Sequence, residues 1–226
     1  SPSNEDLVSV SLVPYPQHVN AGPKIYNELN VNHRHNYSHC IEMADSAYSE
    51  TELDLSVQYD QMQHFQWNYP GWNQLTDTIC PRYSYERITP FSQDASALNA
   101  QIAQMQPRAG TRIFMGMKWA AAMLDPAFNP VVNALANSND IDSAFSNRPA
   151  AFEDVETLKT VVLMTDGKNS SAQRIKSWAY DSSSDYYHWS RYNLWYYLYR
   201  NVNSYHRGNY YWWKYDAAQG DALLDN

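Results

Sequence analysis

Two oxygen-bearing side chains, the carboxylate of Asp166 and the hydroxyl of Thr111, occupy positions where binding loops are expected. Asp166 directly follows the apolar run 160–164 and precedes Gly167, whereas Thr111 lies in a Gly-Thr turn before a predicted helix. Hydroxyl and carboxylate oxygens suit hard cations such as Mg²⁺, Mn²⁺ or Ca²⁺. Thr111 and Asp166 are therefore candidate metal ligands, but two protein donors are too few for a stable site, which needs at least one more donor loop. An Asp-Gly pair after an apolar run is also a common turn, and that interpretation stays open.

The elements that must position these two residues are a strand and a helix. Residues 160–164, TVVLM, have the β-branched and aliphatic composition of a strand buried on both faces of a parallel sheet. Loops at the carboxyl ends of such strands form the binding crevice of open α/β sheets. A second strand is predicted over residues 7–14, which end at Pro14, Tyr15 and Pro16.

Apolar residues recur at helical spacing in two segments, 93–106 and 112–124. Asp94 opens the first helix, and Pro107 ends it. The predicted apolar stripe of the first helix is Ala95, Leu98, Ile102 and Met105, and that of the second is Ile113, Met117, Ala120 and Leu124. Residues 127–157 are predicted to be a loop-rich connection with a short apolar segment at 131–135.

A long polar segment between the first strand and the first helix contains four potential ligands of a softer metal: His33, His35, His39 and Cys40. Closely spaced histidines and a thiolate are typical ligands of zinc or copper, although this spacing matches no standard zinc finger. Cys40 and Cys80 are the two cysteines of the chain. We expect a disulfide between them, with two buried thiols as the alternative, and a disulfide would remove the thiolate of Cys40.

Composition limits the possible partners. The net charge of -8 argues against a nucleic-acid backbone or an anionic membrane surface as the main partner. No apolar run approaches the roughly 20 residues that span a bilayer. The first residue is Ser, so we expect the chain to be a piece of a longer protein. With 19 Tyr, 8 Trp and only 7 Gly, the composition is typical of a secreted or surface-exposed binding domain.

Many of the aromatic residues fall between Trp178 and Tyr215. Helical spacing within this tail predicts a helix over about 186–204. The tail is expected either to pack as an aromatic cap over the sheet or to form a Tyr/Trp contact surface for a partner protein or glycan.

Several stretches together resemble the von Willebrand factor A-type domain of TadG-like proteins, which belong to the tight-adherence (Flp) pilus assembly machinery of bacteria. The resemblance rests on AGTRIFMGMKWAAAMLDP at 109–126 and TVVLMTDGKN at 160–169. Three further stretches match in order, at 10–20, around Cys40 and at 80–105. Together the matching stretches cover roughly the first three quarters of the chain.

The resemblance implies a Rossmann-like, doubly wound α/β fold in a single domain over residues 1–226, truncated at both ends. Long loop insertions are then expected at about 20–92, 127–157 and 170–215. The family's metal-ion-dependent adhesion site combines a DxSxS motif, a Thr in a Gly-Thr turn and an Asp in a TDG-like turn. Thr111 and Asp166 match the last two parts. DxSxS does not occur in this sequence, and DSSSD at 181–185 is interpreted as a solvated loop.

From the resemblance we expect a non-enzymatic binding domain of the cell envelope that takes part in pilus assembly or adhesion. It would be periplasmic or extracellular, anchored to the bacterial inner membrane by a segment outside this chain. Its partner would be a protein of the envelope or pilus, or a surface glycan, bound through Mg²⁺, Mn²⁺ or Ca²⁺. Two alternatives are a metal-dependent phosphoester hydrolase and a structural filament subunit with an aromatic contact surface.

Overall fold

The computed structural model describes residues 8–62, 79–106 and 111–165, together with the backbone of two short strands further along the chain. Four α-helices lie in the three described ranges, and they are α1 Gly22–Asn27, α2 Ala95–Gln104, α3 Ile113–Leu124 and α4 Asn129–Asn137. The strands are β1 Val10–Leu12, β2 Val31–Asn32, β3 Ile41–Glu42, β4 Tyr59–Gln61, β5 Thr89–Ser92, β6 Arg174–Ile175 and β7 Leu224–Asp225. The predicted first strand and the two predicted helices are therefore confirmed.

The strands form three small sheets. Strand β1 pairs antiparallel with β5, and β6 pairs antiparallel with β7. The third sheet has the order β2-β4-β3, in which β2 runs parallel to β4 and β3 antiparallel to it. The fold is thus mixed α/β and includes a parallel strand pair, but the described ranges show no clear Rossmann-like sheet.

One hydrophobic core joins α1, α3 and α4. Its largest fully buried side chains include Trp119 on α3, together with Phe128 and Phe145. The segment 20–92, expected as an insertion, contributes Ile25 and Ile41 to the same core. These side chains supply the apolar burial that stabilises the fold.

Helix α3 buries a different face from the predicted one. The predicted stripe of Ile113, Met117, Ala120 and Leu124 is only partly buried. The buried residues are Met115, Gly116, Lys118, Trp119, Ala122 and Met123. Met115 and Trp119, spaced i and i+4, lie in the core, and Trp119 is among the largest fully buried side chains of the described residues.

Helix α2 is attached to the rest of the protein by polar contacts, although an apolar face was predicted. Its one buried residue is Gln101, and Ile102 is 50% exposed. The Gln101 amide nitrogen donates to the carbonyl oxygens of Tyr85 and Arg87, and its oxygen accepts from the Thr89 hydroxyl at 2.5 Å. The helix begins where the Asp94 side chain accepts from the Ala97 N–H at 2.9 Å.

Two helices lie where loops were expected. Helix α4 occupies part of the predicted loop 127–157 and buries Val131, Val132, Leu135 and Ala136, so the loop prediction was wrong there. Pro130 stands in its first turn, where a missing N–H costs nothing. Helix α1 begins in the same way with Pro23 in its first turn.

The predicted buried strand at 160–164 is wrong. These residues form no strand in the structure, and Val162 and Met164 are 77% and 81% exposed. A strand needs a neighbouring strand to satisfy its N–H and C=O groups, and no described strand pairs with this segment. The Lys159 ammonium instead donates to the Ala150 carbonyl oxygen and lies 4.4 Å from the Phe152 ring centroid.

The aromatic tail at 178–215 and the predicted helix at 186–204 lie outside the described residues. In the part that the structure does describe, no helix is both long and apolar enough to cross a membrane.

Candidate functional site

Thr111 is half-buried and lies two residues before the start of α3. The next residue, Arg112, donates its backbone N–H to the Pro16 carbonyl oxygen at 2.9 Å. Its guanidinium lies 4.6 Å from the ring centroid of Phe114. The start of α3 is therefore fastened to the loop that follows β1.

Tyr15 connects that same loop to the segment that carries the second predicted ligand. Its hydroxyl donates to the Met164 carbonyl oxygen at 2.5 Å. Its ring lies on Gly116 of α3, where the lack of a side chain leaves the necessary space. Residues 160–165 therefore reach the loop after β1 without forming a strand.

Asp166 lies outside the described residues, which end in this part of the chain at Thr165. The donor chemistry fits the proposed ion, because a Thr hydroxyl oxygen and an Asp carboxylate oxygen are both hard ligands. Thr111 and Asp166 are the residues that would hold such an ion.

Sequence reasoning missed the residues that connect this region, Tyr15, Pro16 and Gly116. The sequence pattern of Pro14, Tyr15 and Pro16 indicates only the end of a strand. A Gly within an otherwise helical segment is a signal of close packing, because it costs about 1 kcal/mol relative to Ala unless it has a packing role.

The second predicted cluster does not assemble as a four-ligand metal site. Cys40 and Cys80 form a disulfide with an S–S distance of 1.99 Å, which confirms the predicted pairing and occupies the sulfur of Cys40. Disulfides of this kind are typical of oxidising compartments. Among the described residues, no group of three or more His, Cys, Asp or Glu side chains is arranged to hold a metal ion.

The three histidines divide between two environments. His33 and His39 both contact Tyr26, whose ring lies 5.8 Å and 5.1 Å from theirs. The Tyr26 hydroxyl is 3.1 Å from His33 Nδ1. Burial, reinforced by the charges of Arg87 and His33, lowers the pKa of His39 to about 4. Burial also raises the pKa of the Tyr26 phenol, so both groups are neutral at pH 7.

His35 has a structural role beside Gln61, a fully buried residue that the sequence pattern does not mark. The Nε2 atom of His35 lies 2.9 Å from the Met62 carbonyl oxygen. The Gln61 oxygen accepts from the backbone N–H groups of Arg34 and His35, and its nitrogen donates to the carbonyls of His35 and Ser38. Gln61 therefore satisfies the backbone of a segment too irregular to satisfy itself.

Comparisons of the chain with protein-family models, with curated proteins and with solved structures found no match.

Proposed function

We propose that this chain is a non-enzymatic binding domain of the bacterial cell envelope, of the von Willebrand factor A type, that acts in pilus assembly or adhesion. A divalent cation would be held by Thr111 and Asp166, and an acidic side chain of a partner protein would complete its coordination. The proposal includes the Rossmann-like arrangement implied by the sequence resemblance. It assigns the cation a role in binding and no catalytic step.

The observation that carries the proposal is the meeting of two distant segments at adjacent residues. Pro16 accepts the N–H of the residue after Thr111, and Tyr15 donates to the carbonyl two residues before Asp166. Along the sequence, Thr111 is therefore one residue from a contact with Pro16, and Asp166 is two residues from a contact with Tyr15. Two oxygen donors that are far apart in sequence need such a junction to reach a common cation.

The Cys40–Cys80 disulfide supports the extracytoplasmic part of the proposal, because disulfides persist mainly outside reducing compartments. The negative net charge is consistent with a partner other than nucleic acid.

Thermal unfolding in Mg²⁺ or Mn²⁺ and in chelator tests the metal site. A ligand that binds only the native state at about 100 times its Kd stabilises it by about 2.7 kcal/mol, which raises Tm by roughly 5–10 °C for a chain of this size. We expect this increase in the wild type and its loss in Asp166→Asn and Thr111→Val.

Two matched controls remove the same chemical groups from an exposed turn. The Thr157 hydroxyl donates to the Asp154 carboxylate at 2.7 Å, and neither residue is a proposed metal ligand. Asp154→Asn and Thr157→Val should therefore retain the full metal-dependent increase in Tm. A wild-type Tm that is the same in metal and in chelator would refute the proposed site.

A further inference from the structure

A cleft of about 370 Å³ lies between α1, β5 and the turn at 143–145, and Thr111 is not among the residues that line it. This volume is at the lower end of the range for small-molecule sites. The lining combines apolar and charged side chains. The apolar ones include Ile88, Phe91, Ile141 and Phe145, and the charged ones are Lys24, Arg87, Asp94, Asp140 and Asp142.

The carboxylates of the lining already have partners. Asp140 lies 2.9 Å from the Lys24 ammonium. Asp94 accepts from a backbone N–H in the first turn of α2, and Asp142 accepts in the same way from the turn at 143–145. Four of the five charged groups are therefore engaged in ion pairing or capping.

Arg87 is the exception. Within the ranges that the structure covers, its guanidinium forms no salt bridge, and its Nε is buried without a hydrogen-bond partner. A buried donor that lacks a partner destabilises the folded state, and a ligand that accepts from it removes that cost. Its aliphatic part packs on Gly22, where an added Cβ would lie 3.3 Å from Arg87 Cβ. Packing on Gly22 therefore positions the Arg87 side chain, and no carboxylate of the described residues forms an ion pair with its guanidinium.

The apolar side of the cleft contains a strained residue. Phe91 has a φ of 41°, which is unfavourable for a residue with a side chain, and it is 5% exposed. Its N–H donates to the Ser11 hydroxyl at 3.0 Å, at the irregular part of the β1–β5 pairing. Strained residues and strand irregularities cluster at binding sites, where the surrounding structure maintains them.

We propose that this cleft binds a small monocarboxylate with an apolar body. The carboxylate would pair with the fork of N–H donors on Arg87, and the apolar part would lie near Phe91 and Ile141. A planar guanidinium matches a carboxylate in two parallel hydrogen bonds. The lining has two cations and three carboxylates, so a ligand with a second negative charge is disfavoured.

Phenylacetate is a suitable probe, with phenylacetamide as its uncharged analogue and phenyl phosphate as its more highly charged one. A titration of the full chain, followed by ¹H–¹⁵N NMR in the presence of chelator, separates this cleft from the proposed metal site. We expect the amide signals of Gly22 and Phe91 to shift with a Kd on the order of 1 mM. The Kd values of phenylacetamide and phenyl phosphate should each be at least about tenfold higher than that of phenylacetate.

Arg87→Met keeps the aliphatic packing on Gly22 and removes the charge, so it should weaken phenylacetate binding about tenfold or more. Arg82→Met is the matched control, because Arg82 lies over the Tyr83 ring and does not line the cleft. Unchanged binding by Arg87→Met, or no saturable shift at Gly22 and Phe91 in the wild type, would overturn the proposal. The wild-type titration decides the question even if Arg87→Met does not fold.

Discussion

The ring of Tyr15 lies so close to Gly116 that a Cβ atom at position 116 would come within 2.5 Å of Tyr15 Cγ. The Tyr15 hydroxyl also holds the Met164 carbonyl. The missing side chain on α3 therefore sets the distance at which the loop after β1 and the segment 160–165 approach the helix.

Gly116→Ala should destabilise the protein by about 1–3 kcal/mol, because the new methyl group overlaps the Tyr15 ring. In a Tyr15→Ala background the same change should instead stabilise it by roughly 0.5–1 kcal/mol, through the higher helix propensity of Ala. Urea unfolding of the four chains in this double-mutant cycle measures both values. The same sign in both backgrounds would contradict the contact.

Lys118→Met should cost about 2–3 kcal/mol. The ammonium of this buried lysine donates to the carbonyl oxygens of Glu50 at 2.9 Å and Glu52 at 2.6 Å, and its removal leaves both acceptors unsatisfied. Burial lowers the pKa of Lys118, the nearby acidic residues opposing this shift. Lys24→Met is the matched control.

The Lys24–Asp140 salt bridge is largely solvated, with side-chain exposures of 51% and 32%, so Lys24→Met should cost less than about 1 kcal/mol. Urea unfolding at pH 7 compares the two variants. Equal losses would show that Lys118 is not the stronger anchor.

Removal of the disulfide should destabilise the native state by about 4 kcal/mol, because the bond closes a loop of 40 residues in the unfolded chain. Ala replacements at Cys40 and Cys80 avoid the burial of new hydroxyl groups. Denaturant unfolding with and without dithiothreitol should show a loss in the wild type and no change in the double variant. A wild type that is insensitive to the reductant, with the bond shown to be reduced, would contradict this prediction.

Stability should decrease as the pH falls from about 6.5 towards 4. The unfolded chain protonates His39 near its ordinary pKa of 6.5, whereas the folded chain does so only near pH 4. Protons therefore bind preferentially to the unfolded state within this window, and the contribution that is complete above pH 6.5 is lost on acidification. The cause is the burial of His39 against Tyr26, together with the charges of Arg87 and His33.

His39→Phe preserves a ring against Tyr26 and removes the titrating group. As the pH falls from 6.5 to 4, the unfolding free energy of the wild type should decrease more than that of the variant. Urea unfolding across that pH range measures the unfolding free energy of both chains. Subtracting one value from the other cancels the titration of the ionisable groups that the two chains share. Parallel pH profiles would contradict the assignment.

Local sequence signals predicted the helices near 95 and 113 well. Asp94 caps α2 and the Ala-rich segment forms α3, because these features depend on residues within one or two turns. The burial of each face was not predictable in the same way. It depends on which side chains meet across the core, where Trp119 and Met115 are buried and the predicted stripe is not.

The strand prediction at 160–164 failed for a tertiary reason. β-branched residues favour an extended backbone, but a strand forms only when a partner strand is present. The hydroxyl of Tyr15 holds Met164 through one side-chain hydrogen bond, a long-range contact that no local pattern indicates. Helix α4 was missed because Asn129 and Pro130 suggest a loop when their role at a helix start is overlooked.

The polar attachment of α2 through Gln101 has a consequence for how the molecule opens. A helix that buries little apolar surface detaches at a lower free energy than one embedded in the core. Amide hydrogens of α2 should therefore exchange with deuterium well before those of α3, whose Trp119 is 1% exposed. Since Gln101 also holds the carbonyl oxygen of Arg87, detachment of this helix would release the backbone at one wall of the cleft.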